Sequence, residues 1–254
     1  VDGKVGIVTG GSRGIGQATA LELLKGGAGG VVITSRKEDN LQRSVKELVS
    51  AGAEADQLHA IVARSDSEDD ARRAVTDCIE RFGSCDILVN NAGTNPAAGP
   101  LMEVDLGALE KTWAVNQLGP LLWARQAWHR WMKEHGGAIV NVASVGGLRP
   151  APLVGAYNIS KAALIHLTHQ LAFELAPTVR VNAVAPGIVK TRLSTALWEG
   201  HEQEAAATHP LMRLGDPIDV ARAIAYLCSD GASWITGVVL PVDGGVTGAS
   251  GSLS

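Results

Sequence analysis

Tyr157 and Lys161 are the two residues of this chain whose types and spacing can do acid/base chemistry. They lie four apart in Tyr157–Asn158–Ile159–Ser160–Lys161. Ala162–Ala163–Leu164 then runs into Ile165–His166–Leu167–Thr168, a composition that favours helix. Residues at i and i+4 share one helix face, so a phenol and an ammonium are expected to project side by side. A free tyrosine titrates near ~10. A cation fixed beside it favours the phenolate and is expected to draw the pKa toward neutrality, where proton transfer is most efficient. A surface tyrosine beside a snorkelling lysine has the same spacing, so the meaning of the pair depends on the elements that position it.

Those elements alternate. Val5–Thr9 is a short strand-like run ending in Gly10–Gly11–Ser12–Arg13–Gly14–Ile15–Gly16, and a helical pattern follows through Ala18, Leu21 and Leu24 to the stop Gly26–Gly27. Gly10, Gly14 and Gly16 let backbone approach a ligand, and the start of the helix offers N–H groups and positive dipole to a pyrophosphate. The spacing is GxxxGxG rather than the usual GxGxxG. Val31–Thr34 is the next strand, and the residue after it separates two cofactors: an acid accepts from an adenosine ribose, a base accommodates a 2′-phosphate. The chain has Ser35–Arg36–Lys37 there, and Arg36 with Arg13 is placed to clamp a phosphate. NADP(H) is therefore expected over NAD(H).

The pattern continues with helix 38–51, strand 58–63, a helix from about Ser67 to Phe82, and strand Ile87–Asn90 closing on Asn91–Ala92–Gly93. Helical stretches lead through Trp113 to Asn116 and from Leu118 to His135. Strand 138–142 ends at Ala143–Ser144. After the Tyr157/Lys161 helix come a strand at Val179–Val184, the break Ala185–Pro186–Gly187, a helix opening at Asp216–Pro217, and strand 238–242. Strict alternation implies an α/β fold: one doubly wound, seven-stranded parallel sheet of Rossmann type in a single domain over 1–254.

Composition agrees. Apolar residues are 46% and charged residues 19% of 254, which suits a folded chain. A net charge of −4 gives no electrostatic footprint for nucleic acid or an anionic membrane. Cys78, Cys85 and Cys228 form no CxxC pair, suggesting neither disulfide framework nor zinc site, and a reducing, cytoplasmic setting. The start Val1–Asp2–Gly3–Lys4 shows no apolar leader, and Ser252–Leu253–Ser254 is not a peroxisomal address.

Thr9-Gly10-x-x-x-Gly14-x-Gly16, Asn90-Asn91-Ala92-Gly93, Asn116, Ser144, Tyr157-x-x-x-Lys161 and Pro186-Gly187 occur in this order. Together they resemble the short-chain dehydrogenase/reductase family from end to end. The stretches Ile188–Thr191, Ala196–Trp198 and Met212–Pro217 are similar to the NADPH-dependent carbonyl and retinol reductases, while the core motifs are equally similar to 3-oxoacyl-carrier-protein reductases.

The resemblance implies hydride transfer between nicotinamide and a ketone, aldehyde or secondary alcohol. By it, Tyr157 is the general acid/base, and Lys161 lowers its pKa and holds the nicotinamide ribose. Ser144 hydrogen-bonds the substrate oxygen, and Asn116 holds a water for proton resupply. Gly10, Ser12, Arg13, Gly14, Ile15, Gly16, Ser35 and Arg36 contact the cofactor, as do Asn90, Ala92, Gly93, Pro186, Gly187, Ile188 and Thr191. It also implies a substrate lid at about 188–212 and a homo-tetramer or homo-dimer. There is one departure: the aspartate that many members carry at the end of strand three is replaced by Ala63, followed by Arg64. Asp66 is expected instead to start the next helix, leaving adenine to backbone groups.

Other side chains are weighed against this. His166 and His169 are three apart on the Tyr157 helix, but no third metal ligand has suitable spacing, and no metal is expected. His201 and His209 are expected in solvated loop. Trp123, Trp128 and Trp131 are expected in the core or a subunit interface, and Trp198 either lines the substrate pocket or lies outside it. Ser144 lacks a GxSxG context for a hydrolase. A cofactor-bound regulatory protein without turnover is the non-enzyme alternative, and loss of Ser144, Tyr157 or Lys161 would have favoured it.

Overall fold

A computed structural model describes residues 1–248. The C-terminal Ser252–Leu253–Ser254 lies outside the described residues.

Strands β1 (Val5–Val8), β2 (Gly30–Ser35), β3 (Leu58–Val62), β4 (Ile87–Asn90), β5 (Gly137–Val142), β6 (Val179–Pro186) and β7 (Val239–Val242) form one sheet in the order β3-β2-β1-β4-β5-β6-β7. Every pairing is parallel. Parallel strands need crossovers, and helices supply them on both faces. Helices α1 (Gly14–Lys25), α2 (Glu38–Ser50) and α9 (Pro217–Cys228) cover one face. Helices α3 (Glu68–Phe82), α5 (Gly119–Ala127) and α7 (Gly155–Glu174) cover the other. Strand period decides which residue faces which layer. Val31 and Ile33 pack with Leu23, Leu41 and Ile224, whereas Val32 between them packs with Val75, Cys78 and Trp123.

β1 and β4 are neighbours although two strands separate them in sequence, so chain order reverses between them. Loops diverge there at the carboxyl ends of the strands, opening the crevice where ligands of such sheets bind.

The region expected as two helices, to Asn116 and from Leu118, is interrupted twice. Helix α4 (Leu106–Trp113) passes through a π turn at Ala114–Leu118 into α5, and a second π turn at Trp128–Met132 leads to the short α6 (Lys133–His135). Asn116 lies in the first π turn. Such single wide turns are frequent at functional sites.

Asp66 does not start α3. The N-cap is Ser67, whose hydroxyl accepts from Asp70 N at 3.2 Å. Asp66, its side chain 8% exposed, instead accepts from Arg64 at 3.1 Å and Lys111 at 2.5 Å, tying the end of β3 to α4. Those two cations hold its carboxyl well below the usual carboxylate range, against burial.

Trp123 is buried in the core, and its Nε1 donates to Ser65 O at 3.1 Å. Trp131 donates to Asp86 Oδ1 at 3.1 Å and stacks on His135. Cys78, Cys85 and Cys228 are buried free thiols. Among the described residues no helix is long and apolar enough to cross a membrane.

Candidate active site

The glycine turn closes the carboxyl end of β1. Gly10 and Gly14 take φ of +63° and +55°, which an L side chain resists. Gly16 is needed for closeness: a Cβ there would lie 2.4 Å from Asn91 Nδ2 and 2.6 Å from Gly10 O. The Asn90–Gly93 loop is pinned onto this turn. Asn91 Nδ2 donates to Thr9 O and Gly10 O, while Thr9 Oγ1 accepts from Asn91 N and Ala92 N at 3.0 and 3.1 Å. Helix α1 starts here with Arg13 as N-cap, no side-chain cap and no acid in its first turn. Its first N–H groups and positive dipole end thus face outward, which fits a pyrophosphate. Ser12 is buried in the turn; Ser35 ends β2, half-buried, and Arg36 beside it is exposed.

Asn90 turns its amide inward instead, donating to Asn141 Oδ1 at 2.9 Å and Pro120 O at 3.3 Å. That side chain ties β4 to its neighbours. Gly93 comes close to Lys161: a Cβ on it would lie 3.6 Å from Lys161 Nζ and 3.7 Å from Asn116 Oδ1.

Tyr157 and Lys161 stand on the first turns of α7. Lys161 is 3% exposed; its Nζ donates to Val142 O at 2.7 Å and lies 5.6 Å from the centroid of the Tyr157 ring. Burial draws the ammonium down to about 8 and pushes the phenol up to about 12, with a hydrogen bond from Ser144 acting against the latter. In the protein by itself burial outweighs the lowering expected from the lysine, and the charge of an oxidised nicotinamide, expected to add to that lowering, is a separate contribution. Desolvation disfavours both charged forms, and the ammonium is directed at a carbonyl rather than at the phenol oxygen. Ser144 follows β5 by two residues, and its Oγ accepts from Gly146 N at 3.1 Å. Asn116 is fully buried: Oδ1 accepts from Thr94 N at 2.8 Å, and Nδ2 donates to Thr94 O and Ser160 Oγ at 2.9 and 3.0 Å. Ser160 Oγ in turn donates to Tyr157 O at 2.7 Å. Thr94 and Ser160 were not singled out from the sequence; the i+3 spacing of Ser160 from Tyr157 is its only local signal.

β6 runs two residues past its expected end, to Pro186. Gly187 N donates to Val242 O at 3.1 Å, and Ile188 O accepts from Gly215 N at 2.9 Å. Thr191 then lies against the glycine turn, where a Cβ on Gly14 would meet its Cγ2 at 3.4 Å. Beyond it come a 3₁₀ turn (Thr195–Leu197) and α8 (Glu202–Ala207). Trp198 is half-buried, its Nε1 donating to Ser194 Oγ at 3.3 Å. His201 is exposed, as expected. His209 is not in solvated loop: it is 2% exposed, its Nδ1 meets Ala205 O at 3.0 Å, and Gly244 packs against its ring. His166 and His169 are exposed and set edge to face. Among the described residues no three His, Cys, Asp or Glu side chains converge on one point.

The arrangement joins the glycine turn at the start of α1 to a hydroxyl, a phenol and a buried ammonium at the carboxyl end of β5 and the first turns of α7, the hydroxyl and phenol half-buried. This is the architecture of a nicotinamide-dependent oxidoreductase, and comparison with known proteins agrees. A family model described as enoyl-(acyl carrier protein) reductase matches residues 10–247. Human dehydrogenase/reductase SDR family member 4 is 39% identical over 245 residues, covering 95% of this chain and 87% of the relative. The Caenorhabditis elegans protein of the same description is 39% identical over 255 residues, covering 96% and 95%. Among solved structures, a Brucella melitensis protein described as a short-chain dehydrogenase/reductase and glucose/ribitol dehydrogenase superposes with a TM-score of 0.89. It is 33% identical, with 96% of this chain and 97% of that chain covered. ElxO with NADP bound gives a TM-score of 0.88 at 34% identity, covering 96% and 98%. The chain belongs to the short-chain dehydrogenase/reductase family. It is an oxidoreductase acting on carbonyl or CH–OH groups with a nicotinamide cofactor.

Proposed function

We propose that the protein is an NADP(H)-dependent carbonyl reductase working through Tyr157 as proton donor. The observation that carries this is the half-buried Tyr157 phenol over the buried Lys161 ammonium, beside Ser144 and at the same strand edge as a cation-rich glycine turn. When bound, the nicotinamide supplies the hydride in reduction and takes it up in oxidation. Ser144 Oγ hydrogen-bonds the substrate oxygen and stabilises charge developing on it. The Tyr157 hydroxyl, which an ordinary phenol pKa near ~10 already keeps protonated at neutral pH, donates its proton to that oxygen. Lys161 supports the nicotinamide ribose and stabilises the phenolate left behind. Asn116, in its π turn and bonded through Ser160 to the backbone of Tyr157, positions the proton-resupply path.

Arg13 and Arg36 recognise the 2′-phosphate. Among the described residues neither is engaged in an ion pair, and no carboxylate follows β2 to receive a ribose. The assignment of NADP(H) also draws on ElxO, solved with NADP bound. Residues 188–212 form the substrate lid of a single catalytic domain. The chain self-associates through the edge around β7, where Phe173 and Trp234 are 83% and 99% exposed.

The function is tested with a panel of carbonyl compounds followed by NADPH absorbance. Diketones and ring ketones are expected to be reduced faster than acetoacetyl thioesters. Preference for the thioesters would assign the 3-oxoacyl reductase activity instead.

A further inference from the structure

Four arginines gather at the glycine turn from four parts of the chain. Arg13 lies in the turn, Arg36 follows β2, Arg43 stands on α2, and Arg192 follows Thr191 beyond β6. A Cβ on Gly14 would meet Thr191 Cγ2 at 3.4 Å, so the backbone that carries Arg192 passes beside the turn. Ser44 Oγ donates to Gly11 O at 3.4 Å, which sets neighbouring Arg43 near the turn, and Gly11 N donates to Thr34 O at 3.0 Å, which does the same for the end of β2 and Arg36. After burial, the charges of Arg192, Arg36 and Arg43 depress the Arg13 pKa. Among the described residues none of the four is in an ion pair. Of the nearby carboxylates, Glu38 accepts from Gln42 and Glu47 from Gln17. Arg43 has only Asn40 Oδ1, at 2.7 Å. Unpaired like charges at one spot repel, and a phosphate monoester of charge about −1.5 to −2 converts that repulsion into shared attraction.

Arg13 and Arg36 belong to the reading above. The geometry points to Arg192, with Arg43 behind it, as a further specificity residue: it binds the phosphate on the adenosine end of NADP(H), and it makes the position of segment 188–212 depend on that phosphate. The coupling has a physical route. Ser194 Oγ donates to Val189 O and accepts from Thr191 N and Trp198 Nε1, both at 3.3 Å, so the residues flanking Arg192 and the indole of Trp198 share one hydroxyl. A planar guanidinium drawn onto a phosphate thereby pulls on the turn that carries Trp198. The inference rests on the NADP(H) reading.

The test is calorimetric titration of the full chain with NADPH, NADH and adenosine 2′,5′-bisphosphate, using wild type, Arg36→Ala, Arg192→Ala and Arg192→Lys. Trp198 fluorescence is followed by difference against Trp198→Phe. Arg192→Ala is expected to weaken NADPH and the bisphosphate by about tenfold while leaving NADH nearly unchanged. Arg192→Lys is expected to recover part of the loss. The bisphosphate is expected to change Trp198 emission in wild type and not in Arg192→Ala. Equal losses for NADPH and NADH, or no loss for either, overturn the assignment; an unaltered Trp198 response overturns the coupling. Wild type binding NADPH and NADH alike would sink the NADP(H) reading itself. Sensitivity to Arg36→Ala without sensitivity to Arg192→Ala would sink this inference alone.

Discussion

The burial of Lys161, on which its proposed role depends, comes at an energetic cost to the fold. Its ammonium is buried against one carbonyl, and lowering its pKa from the ordinary 10.5 to about 8 corresponds to roughly 3 kcal/mol of destabilisation at neutral pH. The sign follows from the unfolded chain holding the proton more tightly. The penalty is full below pH about 8, shrinks as pH rises, and vanishes above the unfolded pKa near ~10.4. In thermal melts without cofactor, wild type is therefore expected to gain stability relative to Lys161→Met between pH 8 and 10.5. A difference in Tm that stays constant over that window would contradict the burial argument. The i, i+4 spacing of Tyr157 and Lys161 is legible in the sequence. Their protonation is not, because it depends on a layer of sheet and loop from distant parts of the chain. His209 shows the same limit: its neighbours Thr208 and Pro210 suggest exposed loop, but Gly244, distant in sequence, packs against its ring and it is buried.

At the scale of elements, hydrophobic runs and glycine stops locate the strands and most helices, since period and punctuation are local signals. The two π turns are not local in that sense. Asn116 leaves no mark in composition, yet its helix widens where its amide meets Thr94 and Ser160 from two other elements. Asp66 is a similar case. Next to Ser67–Glu68–Asp69–Asp70 it looks like part of a helix start, but Ser67 supplies the cap, and Lys111 from α4 claims Asp66. With its carboxyl held below the ordinary range, Asp66 contributes stability that is complete above the unfolded value near ~3.9 and fades as pH falls through the folded value. Asp66→Asn is expected to lower Tm at pH 7 and to converge with wild type in acid. A gap that widens as pH falls would show that the ion pairs are not its role.

For the whole molecule, the reversal of strand order between β1 and β4 sets the position of everything else: the cradle, the pinned loop and the reactive pair all lie at one end of the sheet. The same sheet ends in β7, only partly covered, with Phe173 and Trp234 exposed beside it. Burying such side chains between subunits stabilises by about 25 cal/mol per Å². The wild-type chain is expected to sediment as a dimer or tetramer and Trp234→Asp as a smaller species. A wild-type monomer at micromolar concentration would contradict self-association through this edge.

The central claim, that the Tyr157 phenol delivers the proton, is tested most directly by single-turnover reduction with Tyr157→Phe. NADPH binding is expected to stay nearly intact while the hydride-transfer step slows by about 10²–10⁴-fold. Transfer at close to the wild-type rate with tightly bound NADPH would contradict the account.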